Sequence, residues 1–158
     1  MKLRRIEESA ASYVVEPRRA ATNSLNAKGE ERLRLAGRDS AALRTVLNIL
    51  ATWGLNGEQT SVILGTPLRT VYSWREKIKN GGSLKEPLAV DTVERLSYIL
   101  GVWEATMILL PSEAEASKFL QSPNESAVFG GRSPLQRMLD GQVADLTVVR
   151  RWFDGWRG

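Results

Sequence analysis

The chain contains no cysteine and no histidine in 158 residues. The first absence excludes a disulfide framework and thiolate chemistry. The second removes the commonest general base, the side chain that titrates near neutrality and the commonest zinc ligand. Long apolar runs are also missing: the densest, Met107 to Leu110, is far too short to span a bilayer. The start, Met1-Lys2-Leu3-Arg4-Arg5-Ile6-Glu7-Glu8, has the basic beginning of a secretion signal without the apolar stretch that should follow. A cytoplasmic protein is therefore expected. Asp, Glu, Ser, Lys or Tyr could still support catalysis, yet no nucleophile–base pair and no metal-ligand spacing appears, so a non-enzymatic protein is expected.

What is present is an ordinary globular composition, 42% apolar and 25% charged, in a length that suits one domain or two small ones. The net charge of +4 is unevenly spread. Residues 68–85 carry Arg69, Arg75, Lys77, Lys79 and Lys85 against Glu76 alone, whereas 86–125 carry Arg95 and Lys118 against seven acids. A local basic block is either a phosphate-binding surface or a solvated helix face.

Residues 1–38 mix charges with Ser, Asn, Ala and Gly, and Leu33 and Leu35 are too sparse to build a core. Pro17, Asn23, Asn26 and Gly29 are expected to interrupt any helix, leaving a flexible N-terminal arm, poorly ordered or partly strand-like, with at most a short helix in it. From residue 39 the pattern is helical. Ser40 reads as an N-cap, Leu43, Val46, Leu47, Leu50 and Trp53 follow at 3/4 spacing, and Gly54 suits a left-handed C-cap. Short helices are expected over 58–64 and from 68 to about 77, separated by Gly65-Thr66-Pro67. Asp91 with Glu94 resembles a capping box opening a helix whose apolar positions are Val93, Leu96, Ile99 and Leu100. Gly101 ends or merely interrupts it. Ser112 with Glu115 reads as a second box, and Ser133 caps a helix with Pro134 at its first position. A last helix covers about 143–156. No segment alternates with period 2, so the chain reads as all-α, with a domain over 39–100 and a second over 101–158.

The run from Glu58 to Trp74 has the spacing of a helix-turn-helix: a short helix, a tight turn at a glycine, and a second helix with a basic outer face. Ile63, Leu64, Val71 and Trp74 suit the buried side. Arg69, Thr70 and Ser73, near the start of the second helix, are candidate base contacts, and Arg75, Lys77 and Lys79 are candidate phosphate contacts. A helical hairpin used only for packing or dimerisation has the same pattern. The last seven residues, Trp152-Phe153-Asp154-Gly155-Trp156-Arg157-Gly158, carry more aromatic surface than a fraying terminus should. Trp152 and Trp156 either pack into the core or are offered to a partner, whereas Trp53, Trp74 and Trp103 read as core.

At this point the residues resemble a family, the Xre/MbcA/ParS antitoxins that neutralise RES-domain toxins in type II toxin–antitoxin modules. The first part of the resemblance is Trp53-Gly54-Leu55, Glu58, Leu64-Gly65, Arg69-Thr70-Val71 and Trp74. The second is Arg95 to Gly101, Pro123-Asn124, Phe129-Gly130-Gly131-Arg132-Ser133-Pro134-Leu135, Met138, Gly141 and Val149 to Gly158. The resemblance implies an Xre-like helix-turn-helix bundle that binds double-stranded operator DNA at the operon's own promoter, followed by a small helical toxin-binding domain. It implies a homodimer that needs no cofactor or metal, engages no membrane and turns over no small-molecule substrate. Its toxin partner consumes NAD or uses it to modify a target, and the toxin-facing residues would be Arg132, Ser133, Pro134, Trp152, Trp156, Arg157 and Gly158. A carboxylate at Gly158 would mimic the pyrophosphate that a NAD pocket receives, or Arg157 would pair with an acidic catalytic residue. A stand-alone helix-turn-helix regulator with a C-terminal dimerisation or ligand domain is the competing expectation.

Overall fold

The computed structural model describes residues 2–158, with side chains from residue 26 onward. It contains seven helices and, among the described residues, no strand: α1 (Lys2–Thr52), α2 (Gly57–Leu64), α3 (Leu68–Lys79), α4 (Val90–Leu109), α5 (Glu113–Gln121), α6 (Pro134–Met138) and α7 (Val143–Arg157). The all-α expectation holds. Among the described residues no helix is long and apolar enough to cross a membrane.

The start of the chain departs from expectation. Instead of breaking at Pro17, Asn23, Asn26 and Gly29, the backbone runs as one helix of 51 residues. Ala, Arg, Glu and Leu dominate the segment and are among the best helix formers. The packed stretch from Ala36 to Trp53 supplies the nucleus, after which each added residue costs little. What was expected of the side chains of residues 2–25 lies outside the described residues. Ser40 is not an N-cap but sits mid-helix, where its hydroxyl donates to the Ala36 carbonyl at 2.7 Å and accepts from the Leu84 amide at 2.8 Å. With Asp39, which accepts from the Leu88 amide at 2.8 Å, it fastens the 80–89 connection to α1.

Leu43, Val46, Leu47, Leu50 and Trp53 on α1 face Leu96, Ile99, Val102 and Ala105 on α4, and Leu146, Val149 and Phe153 on α7 belong to the same cluster. The core is therefore continuous across residue 100, and α4 is its central element. Full burial of a side chain such as Phe153 contributes about 1.5–3 kcal/mol, which explains why α7 is anchored along its length. Trp53 is buried, and Trp74 and Trp103 pack partly against the same cluster.

α4 also begins differently. Its N-cap is Ala89, with no side-chain cap, and Asp91 turns instead to Arg95 Nε at 2.8 Å. Gly101 lies inside α4 and neither ends nor breaks it. Ser112 does cap α5, accepting from the Glu115 amide.

Candidate functional site

The first candidate surface is the α2–α3 unit. Asn56 and Gln59 cap α2 reciprocally. Gly65 ends it with φ +60, a left-handed conformation that disfavours any residue with a Cβ. The Ser61 hydroxyl donates to the Thr66 carbonyl at 2.6 Å and locks the turn. Ile63, Leu64 and Val71 are fully buried between the helices, and Trp74 and Ile78 pack against the core. This orientation turns Arg69, Tyr72, Ser73, Glu76 and Lys79 outward.

Arg69, Ser73 and Lys79 are thus exposed, while Thr70 and Lys77 are half-buried at the flank. Arg75 is drawn inward: its Nη2 donates to the Thr60 hydroxyl at 3.3 Å, so it braces α3 against α2. Sequence reasoning overlooked Tyr72, 55% exposed in the middle of the outward stripe, and Glu76, an acid in the same stripe. Both follow from 3.6-residue spacing once Val71 and Trp74 are fixed as inward.

The second candidate surface is at the end of α7. Phe119, Phe129, Trp152, Phe153 and Trp156 form one aromatic cluster, with ring centroids 5.0–6.3 Å apart in tilted, stacked and edge-on pairs. Phe129 and Phe153 are its buried floor. Trp152 is half-buried, with its indole N–H donating to Ser126 Oγ at 3.2 Å. Trp156 remains 46% exposed. Phe119, Asn124, Arg151, Trp152, Gly155 and Trp156 line an open groove of about 550 Å³ beside it. Arg157 and Gly158 are exposed. The indole rings are therefore divided between core and surface, and Trp156 is the one that faces outward.

The segment leading into α6 is held by the chain's own hydrogen bonds. Gly130 and Gly131 take φ +58 and +83 and turn the chain back, so that the Arg132 carbonyl accepts from the Asn124 amide at 3.1 Å. Ser133 and Pro134 are buried and do not reach the surface. Ser133 caps α6, accepting from the Gln136 amide at 3.1 Å while Gln136 Oε1 accepts from the Ser133 amide at 2.9 Å. Ser133 and Pro134 are both held inside the chain, as a capping box within a packed loop requires. Arg132 is exposed but engaged, donating bidentately to Asp140 at 2.9 and 2.7 Å. The guanidinium holds the Asp140 carboxyl below its ordinary range, chiefly by hydrogen bonding.

Two arginines tie α4 to its neighbours, one buried and one half-buried. Arg95, only 8% exposed, donates from Nη1 to the carbonyls of Ile63 at 3.2 Å and Gly141 at 2.8 Å. Arg150 of α7 lies across buried Gly101 of α4, with Nη1 1.1 Å from where a Cβ would stand, and its Nε donates to Asp154 at 3.0 Å.

Residues 32–101 match the antitoxin Xre-like helix-turn-helix domain. Residues 105–158 match the antitoxin Xre/MbcA/ParS C-terminal toxin-binding domain. Over 124 residues the chain is 38% identical to "Uncharacterized protein y4oB" of Sinorhizobium fredii (strain NBRC 101917 / NGR234), an alignment that spans 78% of this chain and 89% of that protein. With both domain matches in chain order on the helices just described, the chain belongs to the Xre/MbcA/ParS-type antitoxins, an Xre-like helix-turn-helix followed by a toxin-binding domain.

Proposed function

We propose that this antitoxin inhibits a RES-domain toxin that consumes NAD by covering the entrance to its active site with the end of α7, and that as a cytoplasmic homodimer it represses its own operon through α3. The observation that carries the toxin-facing part is the exposure of Trp156 at the edge of a cluster whose other rings are fixed by packing. An aromatic held rigid by its neighbours loses little entropy on binding, and Trp and Arg are the residues that most often anchor interfaces. Trp152, Arg157 and Gly158 extend the same end of the helix. Arg132 reaches a partner only by leaving Asp140. The protein acts by binding, and the chemistry it controls is the toxin's.

For the DNA-facing part, the support is the outward stripe of α3. Arg69, Ser73 and Lys79 are exposed along it with Lys77 at the flank, which supports base contacts from Arg69 and Ser73 and phosphate contacts from Lys77 and Lys79.

The test is co-expression. A RES-domain reading frame adjacent to this gene, expressed alone, is expected to arrest growth and deplete cellular NAD. Expression with this protein is expected to restore both and to yield a co-purifying complex. Arrest that this protein does not relieve would overturn the reading.

A further inference from the structure

The groove beside Trp156 is built to receive something. It is lined by the aromatic rings of Phe119, Trp152 and Trp156, by Arg151 and Asn124, and by Gly155. Gly155 is the informative residue. It lies within the last turn of α7 and is not among the glycines with positive φ, so its backbone does not require a glycine. A Cβ added there would meet nothing within 4 Å, so no neighbour in the chain requires one either. Glycine weakens a helix relative to alanine. The helix backbone at Gly155 is therefore open to the groove, and an outside group can approach it closely there.

The charges say what kind of group. Asp154 is engaged by Arg150, while Arg151 forms no ion pair among the described residues and stands exposed at the rim. An apolar trough with an uncompensated guanidinium on its edge complements a segment that pairs an apolar or aromatic side chain with a carboxylate. The geometry points to a second contact with the toxin: an acidic, aromatic-containing peptide segment of the toxin lies in the Phe119–Asn124–Arg151–Gly155 groove while the end of α7 covers the catalytic entrance. This rests on the reading above that α7 faces the toxin, and it adds that the antitoxin's own groove is filled in the complex.

The experiment measures affinity of the full chain for the co-purified toxin by titration calorimetry, with Gly155→Leu and Arg151→Glu against the unchanged protein. Gly155→Leu fills the groove from a position where its Cβ meets nothing, so its melting temperature is expected to equal or exceed the original, while toxin affinity falls at least tenfold. Arg151→Glu is expected to weaken binding at least tenfold, and Arg151→Lys to recover most of it. Toxin affinity unchanged in Gly155→Leu overturns the groove contact and leaves the α7 reading standing. Weakening in Gly155→Leu without weakening in Arg151→Glu overturns the acidic occupant. A change of oligomeric state in Gly155→Leu at unchanged toxin affinity overturns the proposal in favour of a second copy of this chain. Failure of the unaltered protein to bind the toxin overturns both readings together.

Discussion

Arg95 Nη1 donates to the backbone carbonyl of Gly141 at 2.8 Å. The same nitrogen reaches the carbonyl of Ile63 near the end of α2, and Nε holds Asp91. Space for the guanidinium exists because residue 65 is a glycine, where a Cβ would stand 2.7 Å from Arg95 Cζ. One buried cation thus ties the helix-turn-helix to the turn that launches α7.

Replacing Arg95 with leucine leaves one buried and one half-buried carbonyl without their charged donor. Hydrogen bonds to charged groups contribute about 1.5–3 kcal/mol each, and relief from burying the charge offsets part of this. Urea unfolding of Arg95→Leu is expected to show a loss of about 3 kcal/mol. A loss below about 1 kcal/mol would show the carbonyls to be satisfied otherwise.

Gly101 and Arg150 are expected to be coupled. Alanine inside a helix is favoured over glycine by about 1 kcal/mol, but at position 101 its methyl must displace the Arg150 guanidinium, the far end of a flexible side chain. Gly101→Ala alone is expected to change stability little. In an Arg150→Ala background the same change is expected to stabilise by about 1 kcal/mol. Equal effects in the two backgrounds would refute the contact.

The Asp140 carboxyl titrates below its ordinary range in the folded protein because Arg132 donates to it. A lowered folded-state pKa contributes stability above the unfolded value, near 3.9 for aspartate. That contribution disappears as pH falls through the folded value. The stability difference between the protein and Asp140→Asn is therefore expected to be constant near neutrality and to shrink below about pH 4. The pair is exposed, so added salt is expected to reduce the difference at every pH. A difference that grows on acidification would reverse the assignment.

On α3, Arg69→Ala and Lys79→Ala are each expected to weaken operator binding and to reduce its salt slope by about one unit for each phosphate contact removed. Glu76→Gln removes an acid from the outward stripe and is expected to tighten binding, most at low salt. Arg75→Ala is expected to cost folding stability as well, since Arg75 braces Thr60. Operator affinity unmoved by Arg69→Ala, Lys79→Ala and Glu76→Gln together would remove α3 from the DNA.

The helix order was legible wherever glycine, proline and capping residues punctuate the chain. Gly54 and Gly65 sit at the expected breaks with positive φ, and Ser133 with Pro134 opens α6 as its spacing foretells. The length of α1 was not legible, because breaker residues read one by one outweigh a run of good helix formers anchored at its far end. Asp91 read as half of a capping box with Glu94, because the space that buries its actual partner, the Arg95 guanidinium, is made by a glycine thirty residues away. The groove was hidden for a related reason: Phe119, Asn124 and Arg151 meet only after the 122–133 loop folds back on Phe129. Ser133 and Pro134 carried two readings at once, capping and recognition, and the capping reading is the one the fold of the chain bears out.

The central claim is that the exposed end of α7 makes the inhibitory contact. It is tested most directly by titrating the co-encoded toxin with the full chain and with a chain ending at Phe153, which keeps Leu146, Val149 and Phe153 in the core. The shortened chain is expected to lose at least a hundredfold in toxin affinity and to retain operator binding. Equal toxin affinity for the two chains would contradict it.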